Sequence, residues 1–432
     1  MLTRLRCACC LFLVLPLTIS AQRADSVAAA RRLNRAAAVR LAAQDTAGAA
    51  DSLRAAARAW PRQGAYLLTA ARYAALAGRA DTALALLGEA NRMGFAWNPA
   101  HPAFNALQSN SAFRALATGS EANQAPLVRS AVFRTLPDPW LHPEGVAFDA
   151  RTGRVFVSGV RQRKIVVIEP DGRVRDFVAP SPDIDAILGV AVDSARGVLW
   201  FTTAHTPEQE GAASGTAGGS MLVAAQLTDG AIVQRWTLPD TSGGHMLGDV
   251  IIAPSGQVYA TDSRSPHVYR VDGTGKGGVL TKMPWQHGDW MSLQGLAFAA
   301  DGSTAWIADW ATGVYRIEVA TGRVTPVASD PSIFTLGVDG LYLVGERRLV
   351  ALQNGIAPAR VVAFDLDAAG TRIEKMELLD RHLPKAIEPT LGVLVPGGLL
   401  YVANAPWGLY GANGSVDQAT PFPAPVLLRL PL

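Results

Sequence analysis

One short phrase recurs six times between Trp140 and the end of the chain, and that recurrence leaves few folds open. It consists of a variable residue, a Gly or Asp, three or four apolar residues, a turn, and then an aromatic-rich run. It occurs as Glu144-Gly145-Val146-Ala147-Phe148, Leu188-Gly189-Val190-Ala191-Val192 and Gly248-Asp249-Val250-Ile251-Ile252. It returns as Gln294-Gly295-Leu296-Ala297-Phe298, Asp339-Gly340-Leu341-Tyr342-Leu343 and Leu391-Gly392-Val393-Leu394-Val395. The starts lie 44, 60, 46, 45 and 52 residues apart. Between them, runs rich in Val, Ile, Tyr and Trp alternate with Asp-Gly and Gly-rich turns, the texture of short strands. A period near 45 with four short strands per unit is that of a β-propeller blade, so six starts predict six blades. His205 to Ser220, a Gly/Ala/Ser-rich stretch, reads as a loop insertion and accounts for the long second spacing. Pro423 to Leu432 supply the third strand of the last blade, and Ser130 to Leu136, just ahead of the first blade, supply its outer strand. Such a closure leaves few exposed strand edges. A solenoid of six units is the alternative, and it would need a cap at each end.

Ahead of the repeat the texture is different. Residues 22 to about 118 are rich in Ala, Leu and Arg, which favours helix. Apolar positions such as Leu84, Leu87 and Ala90 recur at helical spacing. Ala49, Leu53 and Ala56 are followed 34 residues later by Ala83, Leu87 and Ala90, with Pro61 after the first set and Phe95 after the second. Gly78 sits between the two helices of the second unit. This helix-turn-helix period, with small residues at close-packing positions, resembles the tetratricopeptide repeat over about two units and a trailing segment, Asn98 to Leu116. The large residues that start each unit in that family are mostly Ala here. The resemblance implies a groove for a protein partner; the other reading is a packing cap for the propeller with no partner of its own.

The first residues bear on the compartment. Met1 to Arg6 carry two arginines, Cys7 to Ile19 are an apolar run of thirteen, and Ile19-Ser20-Ala21 precede a cleavage point. This reads as a secretory signal peptide, too short for a spanning helix, with a single-pass anchor as the alternative. Cleavage after Ala21 removes Cys7, Cys9 and Cys10, the only three cysteines, so the mature chain has no disulfide, thiol nucleophile or cysteine metal site. The expected location is secreted or periplasmic, with no membrane span after cleavage. The expected organisation is a signal peptide over 1–21, a helical domain over 22–122 and a six-bladed β-propeller over 123–432, a mainly β chain with a small α-helical front. A net charge of +3, with no Lys/Arg cluster interleaved with aromatics, argues against nucleic acid as a partner.

The repeat register nominates a site. In a propeller the innermost strands line a central channel, and the residues entering them converge at one mouth. In order these are Glu144, Leu188, Gly248, Gln294, Asp339 and Leu391. Two carboxylates and an amide make a set of hard oxygen donors suited to Ca²⁺, Mg²⁺, Mn²⁺ or Zn²⁺. Polar groups at blade starts also cap strands and hold channel waters, so the same residues have a structural reading.

Pro143-Glu144-Gly145, Gln294-Gly295-Leu296-Ala297 and Val338-Asp339-Gly340 resemble the SMP-30/gluconolactonase/LRE superfamily, with NHL-type blades as wider relatives. The resemblance implies a divalent metal bound by a Glu of blade one, an Asn of blade four and an Asp of blade five. Glu144 and Asp339 match. Gln294 stands in place of the Asn, one methylene longer. The family's blade-three Asn-Asp pair becomes Gly248-Asp249, keeping only the Asp, and Met246 falls where the family has a substrate-contacting Arg. The implied chemistry is lactone hydrolysis, with Asp339 as ligand and general base, Glu144 and Gln294 as ligands, and Asp249 toward the substrate.

Other residues complete the expectation. His245 and His287 precede blades three and four by a few residues and are candidates for the same mouth. Trp285-Gln286-His287-Gly288-Asp289-Trp290 is unusually aromatic for a loop and reads as a pocket wall or a roof over the channel. Glu388-Pro389-Thr390 and Ala403-Asn404-Ala405-Pro406-Trp407 resemble a segment common in bacterial members of this wider group, which places Glu388 near the mouth. Asp262, Asp309 and Asn404 end second strands and read as structural. No nucleophile elbow or phosphate-binding loop occurs. Two functions remain: a metal-dependent hydrolase of a lactone or related ester, and a non-catalytic module binding a small molecule in its channel, with the helical domain docking a protein. A strictosidine-synthase-like propeller, in which one channel Glu works without metal, is a third.

Overall fold

The computed structural model describes residues 21–61, 63–211, 219–240, 244–272, 278–417 and 422–432. The expected signal peptide lies outside these residues except for Ala21. The helical front comprises α1 (Ala21–Ala42), α2 (Thr46–Ala59), α3 (Gly64–Leu76), α4 (Ala80–Arg92) and α5 (Ser111–Gln124). The 34-residue period is the step from α2 to α4, since Thr46 and Ala80 open them. All six residues of the self-match are buried on these two helices. Small side chains there let neighbouring helices approach closely. Gly78 turns the chain between α3 and α4 with φ +73, the left-handed region that suits glycine. Asp45 caps α2 through the Gly48 N–H at 2.8 Å, and Asn110 caps α5 through the Ala112 N–H at 2.8 Å. The helical part runs two residues past the expected boundary at 122, to Gln124. Among the described residues no helix is long and apolar enough to cross a membrane.

Six antiparallel sheets follow. Their inner strands are Pro143–Asp149, Ala186–Asp193, Leu247–Ile252, Leu293–Phe298, Val338–Val344 and Gly392–Val395. All six begin at or beside the repeated phrase. Six buried clusters join blade one to two, two to three, and so on, the last uniting Leu400 and Leu427 of blade six with Val146 and Val157 of blade one. A ring closed by packing at every junction is a six-bladed propeller. The sixth blade takes its outer strand from Ala131–Thr135, paired with Val426–Pro431, which is the closure the sequence predicts. The chain leading into that strand is tied to blade five. The Arg129 N–H donates to Asp380 Oδ1 at 2.6 Å, and the Ser130 hydroxyl donates to Asp380 Oδ2.

One strand is not foreshadowed. Gly278–Val279 adds in parallel to the outer edge of blade two, and Thr281–Lys282 then completes blade three. The two blades are thus stitched together by one short segment. Of the insertion read as a loop, residues 205–211 and 219 lie outside strands, and Ser220 opens the third strand of blade two.

The repeated phrase has a geometric cause. In blades one to five, two inner-strand residues face a single residue of the second strand. The pairs are Glu144-Gly145, Leu188-Gly189, Gly248-Asp249, Gln294-Gly295 and Asp339-Gly340. Such a β-bulge bends the strand and re-aims a side chain, here at the channel mouth. In blades one, two and four the second position favours glycine because the next blade's backbone abuts it. A Cβ on Gly189 would lie 2.7 Å from the Gly248 carbonyl oxygen and 2.8 Å from the Asp249 Cα. Gly189→Ala is therefore expected to cost about 1–3 kcal/mol by overpacking against backbone, read as a lowered urea midpoint. An unchanged midpoint would show that blades two and three do not pack this closely.

Candidate active site at the channel mouth

Each bulge delivers one side chain to the mouth, and hydroxyls on the second strands fasten the bulges together. Ser158 Oγ accepts from the Gly145 N–H at 2.8 Å and donates to the Leu188 carbonyl. Thr202 Oγ1 accepts from the Gly189 N–H at 2.9 Å and donates to the Gly248 carbonyl at 3.1 Å. Thr390 Oγ1 donates to the Glu144 carbonyl at 2.7 Å, joining blade six to blade one. The backbone that carries the site is thus crosslinked around the ring.

Four of the sequence-predicted residues act on one another there. Glu144 is 8 % exposed, and Trp407 Nε1 donates to its Oε2 at 2.7 Å. Burial holds its carboxyl well above the ordinary range. The charge of Asp339 adds to this, the Trp407 bond opposes it, and Glu388 and Asp249 push it further up. Asp339 is also 8 % exposed and accepts from Asn354 Nδ2 at 2.7 Å through Oδ2. Burial raises it to about 7 against that hydrogen bond, with Glu388 and Asp249 adding. Burial also raises Asp249 to about 7, although its Oδ1 accepts from the Val250 N–H at 2.8 Å. Glu388 is raised by burial, against a bond from the Gly408 N–H. Tyr342 belongs to the same group. Its hydroxyl accepts from the Gly392 N–H at 2.5 Å, and its acidity is suppressed first by burial and then by Asp249. These carboxylates come from blades one, three and five and from the approach to blade six. Their shared burial and mutual repulsion favour the protonated form of each carboxyl.

Gln294 is turned otherwise. Its Oε1 accepts from Ser263 Oγ at 3.3 Å, and its Nε2 donates to Ser292 Oγ at 3.2 Å. A Cβ on Gly248 would lie 2.4 Å from Ser263 Oγ, so the glycine leaves room for the hydroxyl that Gln294 bonds. His245 is tied to the buried Asp262, Nδ1 to Oδ2 at 2.6 Å, and Asp262 also accepts from the Met246 and Arg264 N–H groups. His287 packs on Tyr315 with centroids 4.8 Å apart and lies 3.6 Å from Asp289. Trp285 is fully buried and stacks on Tyr259, 5.3 Å between centroids, in the core joining blades three and four. That half of the aromatic stretch is core rather than a pocket wall or roof. Asp309 accepts from the Ser292, Ala311 and Thr312 N–H groups, and Asn404 bonds Ala424 and Val426, so both organise turns.

Three further residues belong to the mouth. Trp407 lies in the short turn Trp407–Leu409 and orients Glu144. Asn354 follows the second strand of blade five and orients Asp339. His142 is fully buried with φ +50, its Nδ1 paired with the Tyr410 hydroxyl at 2.8 Å and its ring edge-on to Trp407 at 4.4 Å. Burial, aided by Arg161, lowers its pKa to about 3, so it is neutral at physiological pH. The register contains the signal for Asn354, because second strands end at the mouth where inner strands begin.

No family model and no curated protein matches the sequence. Solved structures do resemble this one. A luciferin-regenerating enzyme is 13% identical with a TM-score of 0.48, covering 71% of this chain and 95% of its own. Regucalcin of Agrobacterium tumefaciens, described as a calcium-binding protein, is 16% identical with a TM-score of 0.47, covering 69% and 93%. A gluconolactonase of Xanthomonas campestris is 18% identical with a TM-score of 0.45, covering 71% and 96%. The strand pairing, not this likeness, establishes the propeller.

Proposed function

We propose that the chain is a hydrolase of a lactone or related ester, working at the channel mouth with a divalent cation held by Glu144 and Asp339. The observation that carries this reading is the gathering of buried carboxylates around the channel mouth, near enough to raise one another's pKa. Glu144 and Asp339 each have one oxygen bonded to a neutral donor. Among the described residues the other oxygen of each has no hydrogen bond, so a cation fits both charge and ligand chemistry. Among the described residues no three His, Cys, Asp or Glu side chains are grouped to hold one ion, so Glu144 and Asp339 would be the carboxylates that hold it. Gln294 would join this set only through its second lone pair, since its oxygen already accepts from Ser263.

When bound, the cation would polarise the ester carbonyl and acidify a water molecule. The chain's own residues do the rest. Asp339, one of whose oxygens is held by Asn354, would take the proton of that water as general base. Trp407 and Asn354 fix the orientation of Glu144 and Asp339. Asp249 and Glu388 add negative potential and offer hydrogen-bond acceptors to a bound substrate. The residues at 1–21 support the further proposal that the protein acts outside the cytoplasm, in the periplasm or medium.

The expected result is one divalent metal in purified protein, lost in Asp339→Ala. Hydrolysis of at least one lactone in a panel should fall by about 10²-fold or more in Glu144→Ala. Metal-free protein after exposure to calcium, manganese and zinc would rule the reading out.

A second reading is a non-catalytic propeller that binds a small molecule in its mouth. The geometry of Gln294 and Gly248 favours it, because the third expected ligand faces Ser263. In that case the helical groove of about 470 Å³, flanked by Arg54, Arg58, Asp81 and Glu89, is the place for a protein partner.

A further inference from the structure

The helical domain docks on the face of the propeller where the channel opens. Inner strands begin at that face, and in an antiparallel blade the loops joining second to third strands lie there too. In blade five this connection runs from Gln353, which ends the second strand, to Arg360, which starts the third. One side of it grips the helices. Arg360 Nη1 donates to the Met93 carbonyl at 3.2 Å, just past the end of α4. The Ala96 N–H donates to the Ala357 carbonyl at 2.9 Å, and Ile356 shares one core with Leu53, Leu67 and Phe95. Arg360 is 4 % exposed, and its Nε donates to Gln353 Oε1 at 2.8 Å. Gln353 is fully buried and donates to the carbonyls of Phe334 and Leu336, both at 3.0 Å.

The other side of the same connection grips the site. Asn354, next to Gln353, donates to Asp339 and accepts from Trp310 Nε1 at 2.8 Å. The packing here has no slack. A Cβ on Gly355 would stand 2.4 Å from the Gly337 Cα and 3.0 Å from the Trp310 ring. Interiors packed this closely transmit displacement rather than absorb it.

We propose that Asn354 is a positioning residue for Asp339, and that the helical domain, through Arg360 and the 353–360 connection, sets where Asn354 stands. The functional half of this rests on the reading of Asp339 in the preceding section; the structural half does not. The helical domain is then part of how the mouth is built, and a partner bound to the helices acts on blade five first.

The test uses full-length protein labelled with 5-fluorotryptophan, the Trp310 resonance being assigned with Trp310→Phe. Arg360→Met removes both hydrogen bonds at similar volume, and Phe95→Leu loosens the contact from the helical side. The Trp310 resonance is expected to move in both, and to return toward its original place in Arg360→Lys, which keeps a donor for the Met93 carbonyl. With a lactone that the unaltered protein hydrolyses, kcat should fall roughly ten-fold with KM within about two-fold, as misplacement of a working group does. An unmoved Trp310 resonance in folded Arg360→Met, or in Phe95→Leu should the former not fold, overturns the coupling. Unchanged kcat with a moved resonance overturns its functional half. Absence of both hydrolysis and metal in the unaltered protein defeats the hydrolase reading, and the fluorine shifts still decide the coupling.

Discussion

Phe334→Ala is expected to lower the unfolding free energy by about 3–5 kcal/mol, the range for emptying a buried aromatic site. Phe334 is 1 % exposed and lies in the connection leading to the inner strand of blade five. Its ring meets Phe95 edge-on, 5.0 Å between centroids, and the Arg360 guanidinium stands 5.9 Å from its centre. It shares a buried cluster with Leu336 and Ile356 of the propeller and with Leu53, Leu67 and Met93 of the helices. Alanine leaves a cavity between two bodies that close-packed backbone cannot refill, and strips the cover from a buried guanidinium. Because one core serves both domains, helical ellipticity and tryptophan fluorescence should be lost at one midpoint in urea, in the variant as in the parent. A loss under about 1 kcal/mol, or two separate midpoints in the parent, would show that the helices are only loosely attached.

That interface was not legible in the sequence, and the reason is physical. The helical period predicts which residues face other helices, and Ala49 to Ala90 do so. It carries no information on which blade will accept Phe95, because that depends on surfaces formed only after both domains fold. The propeller was legible because its register is local. The bulge repeats at the phrase in blades one to five, three of its glycines answer a neighbouring backbone, and six starts close into six junctions. Glu144 and Asp339 followed from that register, while Asp249 came with the family resemblance. The register also nominated Gln294 but not its direction, which is set by Ser263 and Ser292. His245 sits where the sequence placed it along the chain, yet the buried Asp262 takes its Nδ1. Trp407 comes from a loop, where spacing does not repeat and only docking decides which atoms meet.

Asp339→Asn is expected to become steadily more stabilising, relative to the parent, as pH rises from 5 to 8. The carboxyl titrates at about 7 when folded and at an ordinary 3.8 when free, so the folded state binds its proton more tightly. A raised carboxyl contributes its full share below the free value and loses it as pH climbs toward the folded value. Each pH unit in that window is worth about 1.4 kcal/mol, so the penalty approaches roughly 4 kcal/mol by pH 8. About 2–3 kcal/mol of this develops above pH 5, and asparagine, which cannot ionise and still accepts from Asn354, escapes it. Removing the charge also relieves Glu144, whose carboxyl is raised in part by Asp339. His142, lowered to about 3, pulls the other way, favouring the folded state as pH rises. Subtracting variant from parent at each pH cancels that contribution, so urea unfolding of both proteins from pH 5 to 8 reports Asp339 together with its effect on Glu144. A difference that is flat or runs in the opposite direction would show that Asp339 is not held protonated by burial. Millimolar calcium or manganese should then stabilise the parent at pH 8 and leave Asp339→Asn nearly unmoved, because a cation that binds only the folded state gains most where the carboxylates repel each other most.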